Sequence, residues 1–348
     1  MWRVILALGL APSAVSAEPV LPGVDAEVRQ VVGDETPGLA VLVTRNGKVV
    51  HMAGYGLADI DSETPVTPLS IFDLASVSKE MTALMAAMQI EEGSYEPDTV
   101  LTDILPALGD GGTDRPLTVN DLIHHIGGLP DYLNGTLDYD ETTMNEDVIA
   151  WLSGEPREAE PGDVFSYSNS GYVTLGSAVA AMDEADSLAT VLSGRLWGPL
   201  AMTMTSLKEP VDPNLAVTGY DGTGGDFAPS HEPTVIEGDG NVFTNLKDLA
   251  KYEAALSRGD LLEDMSVLFT NGVMADGSPI DDDGQGYGYG WFLEEIDGSD
   301  YAMHSGSWMG TSTYFQRNLT TGVSVILLAN GESISLDALA LNVELAAD

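Results

Sequence analysis

The sequence predicts an α/β fold: one antiparallel sheet flanked by helices, interrupted along the chain by an inserted, mainly helical domain. Three observations point there. Both ends of the chain carry short β-rich runs, a strong helical pattern follows the first of them, and the middle alternates short helical segments with Gly- and Pro-rich loops. Terminal segments that complete one sheet around a helical insertion account for that order. The expected division is 18–96 with 236–348 for the α/β part and 97–235 for the insertion.

Taken in order, residues 1–17 (MWRVILALGLAPSAVSA) read as a secretory signal. Arg3 supplies the positive end, Val4 to Leu10 a short apolar run, and Val15 and Ala17 a small-residue cleavage site. Export to a periplasm or to the medium is the expectation, because the run is too short to span a bilayer. GLAVLVTRNGKVVHMAGYG (38–56) is two apolar runs joined through Asn46-Gly47, a strong hairpin signal. From Ser76 to about Glu92, Val77, Met81, Leu84, Met85 and Met88 recur at helical spacing, and Gly93 closes the pattern. Helical segments are expected in LTVNDLIHHIGGLPDY and MNEDVIAWLSGEP, at 171–183, at 187–200 and at 246–256. The segment 220–235 reads as loop. Strands are expected at 287–295, 301–306, 311–317 and 322–330, and SLDALALNVELAA makes a terminal helix.

Composition narrows the function. The chain has 348 residues with 44% hydrophobic, enough for a large core. With 55 acidic and 13 basic residues the net charge is −42, which disfavours nucleic acid and anionic membranes as partners. The acids are spread along the chain, as expected of an acidic surface suited to salty surroundings. Thermal stability should therefore rise between low and molar salt; an unchanged melting temperature would mean that the charge has another basis. There is no cysteine, so no disulfide framework. Asp281-Asp282-Asp283-Gly284 lacks the alternation of a calcium loop. The five histidines make no zinc-site spacing, and no metal or organic cofactor is expected. His124 and His125 are adjacent and cannot share one helix face, so one is expected to be buried and hydrogen-bonded rather than catalytic.

Three stretches could carry chemistry. FDLASVSKEM (72–81) holds the only Ser-x-x-Lys. A serine hydroxyl is a weak nucleophile that needs a base. At a helix start Ser76 and Lys79 would share a face. A serine cap followed by a surface lysine fits the same residues. Tyr167-Ser168-Asn169 follows a Pro-Gly turn; a phenol near an ammonium can relay protons, and an asparagine amide can both donate to and accept from a substrate. A capped helix with a packed tyrosine fits equally. His304-Ser305-Gly306 ends an expected strand, where glycine permits close approach and neighbouring amides could face an oxyanion, or where the chain simply turns.

In this order and these contexts, the three stretches resemble the serine hydrolases that include penicillin-binding DD-peptidases, class C β-lactamases, D-aminopeptidases and family VIII esterases. LTVNDLIHHIGGLPDY, GDGNVFTNLKDLAKY and YGYGWF are similar to further segments of that group, so the likeness runs from Gly38 to Gly331. It implies a β-lactamase/transpeptidase-like fold and an acyl-enzyme on Ser76. Lys79 and Tyr167 would share proton transfer. Asn169, His304, Ser305 and Gly306 would contact substrate, and the backbone N–H groups of Ser76 and Ser307 would form an oxyanion hole. The implied substrates are small esters, amides or peptides. Ester hydrolysis leads, ahead of D-Ala-D-Ala carboxypeptidase, D-aminopeptidase and class C-like β-lactamase action. A slow-deacylating penicillin sensor or trap is the reading from another class.

Departures from the group's pattern bear on the substrate. His304 stands where β-lactamases usually carry lysine, and no arginine or lysine lies between Arg258 and Arg317. A fixed cation for a substrate carboxylate is thus missing near that strand. Gly127 departs from the Thr-Ser-Gly of the related segment. Absence of Gly-x-Ser-x-Gly argues against an α/β-hydrolase, and absence of Ser-Asp-Asn against a class A β-lactamase.

Overall fold

A computed structural model describes residues 18–347. The leader read at residues 1–17 lies outside them. The main sheet has seven strands: β1 (Leu39–Arg45), β2 (Lys48–Tyr55), β3 (Gly286–Tyr287), β4 (Phe292–Ile296), β5 (Ser299–Trp308), β6 (Thr311–Asn318) and β7 (Val323–Ala329). Their spatial order is β3-β4-β5-β6-β7-β1-β2, antiparallel throughout. The two chain ends meet in the middle of the sheet, where Leu39 pairs with Ala329 and Arg45 with Val323. The β1–β2 turn needs left-handed backbone at two successive residues, and Asn46 (φ 50°) and Gly47 (φ 72°) supply it.

The unbroken apolar run of β1 follows from burial on both faces. Leu39, Val41 and Val43 pack with Val24 and Val28 of α1 (Pro22–Val28) and Leu339, Ala340 and Val343 of the terminal helix Leu336–Ala346. Ala40 and Leu42 face the other way, into the larger core around α2 (Lys79–Glu91). Ten of the thirteen residues of α2 are buried, so it is a central helix with no solvent face to speak of. It packs on α3 (Asn169–Met182), whose N-cap is Ser168. Among the described residues no helix is long and apolar enough to cross a membrane.

Several expectations are corrected. The run 287–295 is two strands, because the chain turns at Gly288–Trp291. Gly290 (φ 79°) passes so close to α2 that a Cβ there would lie 2.8 Å from the Cα of Glu80. The helix expected over 187–200 is an α-turn, Leu188–Leu192, that widens into a π-type turn over Ser193–Trp197. The loop 220–235 contains a two-residue ladder, Tyr220–Asp221 with Ala228–Pro229. Helix α1 has no counterpart in the sequence reading; two buried valines four residues apart are too few to establish a period.

Candidate active site

The strand Phe72–Asp73 pairs with Val242–Thr244 and delivers the chain into a short 3₁₀ turn, Ala75–Ser78, from which α2 grows. Ala75 sits at φ 47°, a left-handed conformation costly for a residue with a Cβ. The surroundings hold it there. Asp73 Oδ1 accepts from the Ala75 N–H at 2.8 Å, and the Leu74 carbonyl accepts from Thr313 Oγ1 at 2.7 Å. Val242 N–H donates to Ser78 Oγ at 3.1 Å. Ser76 is thereby presented, half-buried, at the floor of a cleft of about 510 Å³.

Lys79 is fully buried one helical turn on. Its Nζ donates to Ser76 Oγ (3.1 Å), Asn169 Oδ1 (2.8 Å) and the Asp239 carbonyl (2.6 Å). Three acceptors match the three N–H bonds of an ammonium. The same Nζ lies 4.9 Å from the centre of the Tyr167 ring. The reading of Lys79 as a surface residue is thus excluded by its burial. Tyr167 lines the cleft, and its hydroxyl is buried with no hydrogen-bond partner among the described residues.

Asn169 starts α3 and also lines the cleft. Its Oδ1 is engaged by Lys79, while its Nδ2 donates to Asp131 Oδ2 at 3.1 Å. The second amide hydrogen remains for a ligand.

His125 organises the neighbouring loop. Its imidazole packs at a tilt against Tyr167 (4.4 Å between ring centres), and its Nδ1 accepts from the Ser168 N–H at 3.1 Å. The proton therefore sits on Nε2, which donates to Tyr287 Oη at 3.1 Å. Tyr287 in turn donates to His304 Nε2 at 3.3 Å, and His304 Nδ1–H to its neighbour's carbonyl, Ser305 O, at 2.6 Å. Both His124 and His125 are buried and hydrogen-bonded, the latter by this chain.

Strand β5 forms the other wall, and here the geometry departs from expectation. The His304 ring is 2% exposed, packed beneath Tyr167 with Tyr287 and Phe292, and does not line the Ser76 cleft. Burial, helped by the Lys79 charge, pushes its pKa down to about 3, so it is neutral near pH 7 and brings no cation. Ser305 alternates to the opposite sheet face and borders a separate groove beside Leu336 and Asp337. Gly306 lets β5 pass close to the backbone of Leu74 and Ser76. Ser307 lines the cleft.

A profile of the Beta-lactamase family matches residues 24–347. The chain belongs to that family. Penicillin-binding protein 4* of Bacillus subtilis (strain 168) is 27% identical over 318 residues, covering 84% of this chain and 68% of that protein. A D-aminopeptidase of Brucella ovis is 28% identical over 327 residues, covering 91% of this chain and 61% of that one. The chain thus spans roughly two thirds of the length of these relatives. The structure of EstCE1, described as a hydrolase with promiscuous acyltransferase activity, superposes with a TM-score of 0.78 at 19% identity over 93% of this chain and 97% of that one. Identity at that level shows a shared fold. This member of the Beta-lactamase family is a hydrolase of the serine β-lactamase and penicillin-binding-protein group.

The family member's cleft is acidic. Asp73 and Asp239 line it, and an adjoining groove of about 1260 Å³ continues past Asp73 and Trp308 toward Glu209 and Glu232. Lys208 at that groove is paired with Glu237 at 2.7 Å. Burial pushes the Asp73 carboxyl from its ordinary 3.8 up to about 6; the Ala75 N–H opposes the shift and the Asp239 charge adds to it. Between those values the folded chain holds more proton than the unfolded one, so this group's contribution to stability falls as pH rises through the window. The penalty is fully present above about pH 6. Asp73→Asn keeps an oxygen for Ala75 and removes the charge. It should raise the melting temperature at pH 7 and lose that advantage below about pH 4. An equal gain at both pH values would mean that shape, not charge, is responsible.

Tyr132, Asp239, Asp73 and Trp308 line the cleft, and Asp131 lies behind it on Asn169, none of them singled out in the sequence. Asp131 follows Pro130 in GGLPDY, and Asp239 stands between two glycines, both contexts typical of turns. Among the described residues no group of three or more His, Cys, Asp or Glu is placed to hold a metal.

Proposed function

We propose that this protein is a serine acyl hydrolase that forms an acyl-enzyme on Ser76 and acts on small neutral or cationic esters and amides. The observation that carries this reading is the contact of Lys79 Nζ with Ser76 Oγ at 3.1 Å, beside the unpartnered Tyr167 hydroxyl. Once the Lys79–Tyr167 pair holds one proton fewer, as a neutral amine or a phenolate, Ser76 Oγ attacks the substrate carbonyl and its proton passes to that base. The oxyanion is met by the Ser76 and Ser307 N–H groups. Collapse expels the alcohol or amine, which takes up the proton. Water then repeats the sequence on the acyl-enzyme and releases the acid.

The substrate preference rests on charge. Asp73 and Asp239 face the cleft, Lys208 is neutralised by Glu237, and His304 is uncharged. A carboxylate on the substrate, as in a β-lactam or a D-Ala-D-Ala stem, would meet like charge, with no lysine or arginine lining the cleft. The same carboxylates favour a second reading, cleavage of an amide next to a free ammonium, the bond a D-aminopeptidase cuts.

The test is a panel of p-nitrophenyl butyrate, nitrocefin, a D-alanyl-D-alanine peptide and D-alanine p-nitroanilide, with intact-mass spectrometry to catch the adduct. Relative to background hydrolysis, the neutral ester should outpace nitrocefin at least about tenfold, since like charges placed together cost on the order of a kcal/mol or more. Nitrocefin in the lead would overturn the preference. A stoichiometric adduct without turnover on any member would identify a trap instead.

A further inference from the structure

We infer that Asp131 is a positioning residue that sets the orientation of the Asn169 amide and, through it, the seat of Lys79. The inference rests on the reading of Ser76 and Lys79 as the acyl-transfer pair. An asparagine amide presents two ends that differ only in which one accepts. Turned the wrong way, Asn169 would aim its NH₂ at the Lys79 ammonium, donor against donor. Nothing on Asn169 itself decides between the two.

Asp131 decides it. Its Oδ2 accepts twice from the same residue, from the Asn169 backbone N–H at 2.7 Å and from Nδ2 at 3.1 Å. A carboxylate oxygen can only accept, so Nδ2 must face Asp131 and Oδ1 must face Lys79, where it accepts at 2.8 Å. The other oxygen, Oδ1, accepts from the Leu133 N–H at 3.0 Å, which stops the carboxylate from swinging away. The next residue is anchored too. Tyr132 N–H donates to Ser170 Oγ at 2.9 Å, and its hydroxyl donates to Asp239 Oδ2 at 2.9 Å. Asp239 is the residue whose carbonyl accepts another Lys79 N–H. One short segment after Pro130 therefore braces two of the three acceptors that hold Lys79. The third acceptor is Ser76 itself.

The isosteric change Asp131→Asn separates this role from simple packing. One oxygen can still serve Leu133, but an NH₂ then faces Asn169, whose own amide must flip or lose its partner. Either outcome disturbs Lys79 while the shape of the site is kept.

The experiment is a double-mutant cycle on kcat/KM for p-nitrophenyl butyrate with wild type, Asp131→Asn, Asn169→Ala and the double variant, with thermal melts of each and Ser76→Ala as the baseline. Asp131→Asn should lose on the order of 10- to 100-fold, mainly in kcat, the scale on which a misplaced reacting group is felt. In the Asn169→Ala background it should lose nothing further, because the amide it orients is gone. Losses that multiply, or wild-type activity in Asp131→Asn, would overturn the inference. Should Asp131→Asn fail to fold, the exchange Asp131→Asn with Asn169→Asp restores one charge and the hydrogen bond in reversed sense. It should then outperform Asn169→Asp alone, whose two carboxylates repel; no such recovery would also overturn it. Turnover that survives Ser76→Ala would instead sink the underlying reading and leave the cycle without a reaction to report on, so the two failures are told apart.

Discussion

Replacing Ser76 by alanine is expected to lower kcat/KM for p-nitrophenyl butyrate by at least about 10⁴-fold, the scale seen when the nucleophile of a covalent mechanism is deleted. No covalent adduct should then appear in the intact mass. The fold should be indifferent. Ser76 Oγ accepts one hydrogen bond, from Lys79, which keeps its other two acceptors on Asn169 and Asp239. The strain at Ala75 is held by Asp73 and by the Thr313–Leu74 bond, neither of which involves the Ser76 side chain. A net change in stability of no more than about 1 kcal/mol is therefore expected, the worth of one ordinary hydrogen bond. Activity lost together with the melting transition would point to structure; activity lost alone would point to chemistry. Turnover at the wild-type rate would remove Ser76 from the mechanism.

Gly306→Ala should damage both stability and rate. A Cβ at Gly306 would lie 2.3 Å from Thr313 Oγ1, 2.4 Å from the Leu74 carbonyl oxygen and 3.1 Å from the Ser76 nitrogen. The first two atoms are hydrogen-bonded to each other, and Leu74 is tied back to Val242 through its own N–H. None of them is the free end of a flexible side chain, so β5 itself must move away from the Ser76 turn. Overpacking of this kind costs about 1–3 kcal/mol. The move also parts the backbone N–H groups of Ser76 and Ser307; if they meet the oxyanion as proposed, loss of one such donor should lower kcat by about 10²- to 10³-fold. Gly154→Ala is the control, since nothing lies within 4 Å of its would-be Cβ. Differential scanning calorimetry and steady-state kinetics on the two variants read the contrast. Equal behaviour would mean that β5 has slack that its register with β6 does not suggest.

The elements legible in the sequence were those with a strong local signal. The Asn46-Gly47 hairpin forms because both residues tolerate left-handed backbone, a property of the residues themselves. Apolar spacing and Gly93 placed the long helix from Ser76; the α-helix starts at Lys79 after a 3₁₀ turn over Ala75–Ser78, and the three-residue separation still brings Ser76 and Lys79 together. The break at Gly288–Trp291 was not legible, because it answers to the backbone of Glu80, which is distant in the chain. The chemistry-bearing residues Ser76, Lys79, Tyr167 and Asn169 were all legible, and the structure brings them together at one cleft.

What the sequence determined by itself is therefore which side chains are available to react and the antiparallel sheet that carries them. Hydroxyl, amine, phenol and amide are covalent facts, and alternation and turn chemistry act over a few residues. What only the tertiary structure decided is how those groups are held. His304 lies buried and neutral beneath Tyr167, Asp73 and Asp239 make the cleft acidic, and Asp131 sets the Asn169 amide. Desolvation and hydrogen-bond direction depend on which distant segments surround a side chain, and no local pattern encodes them.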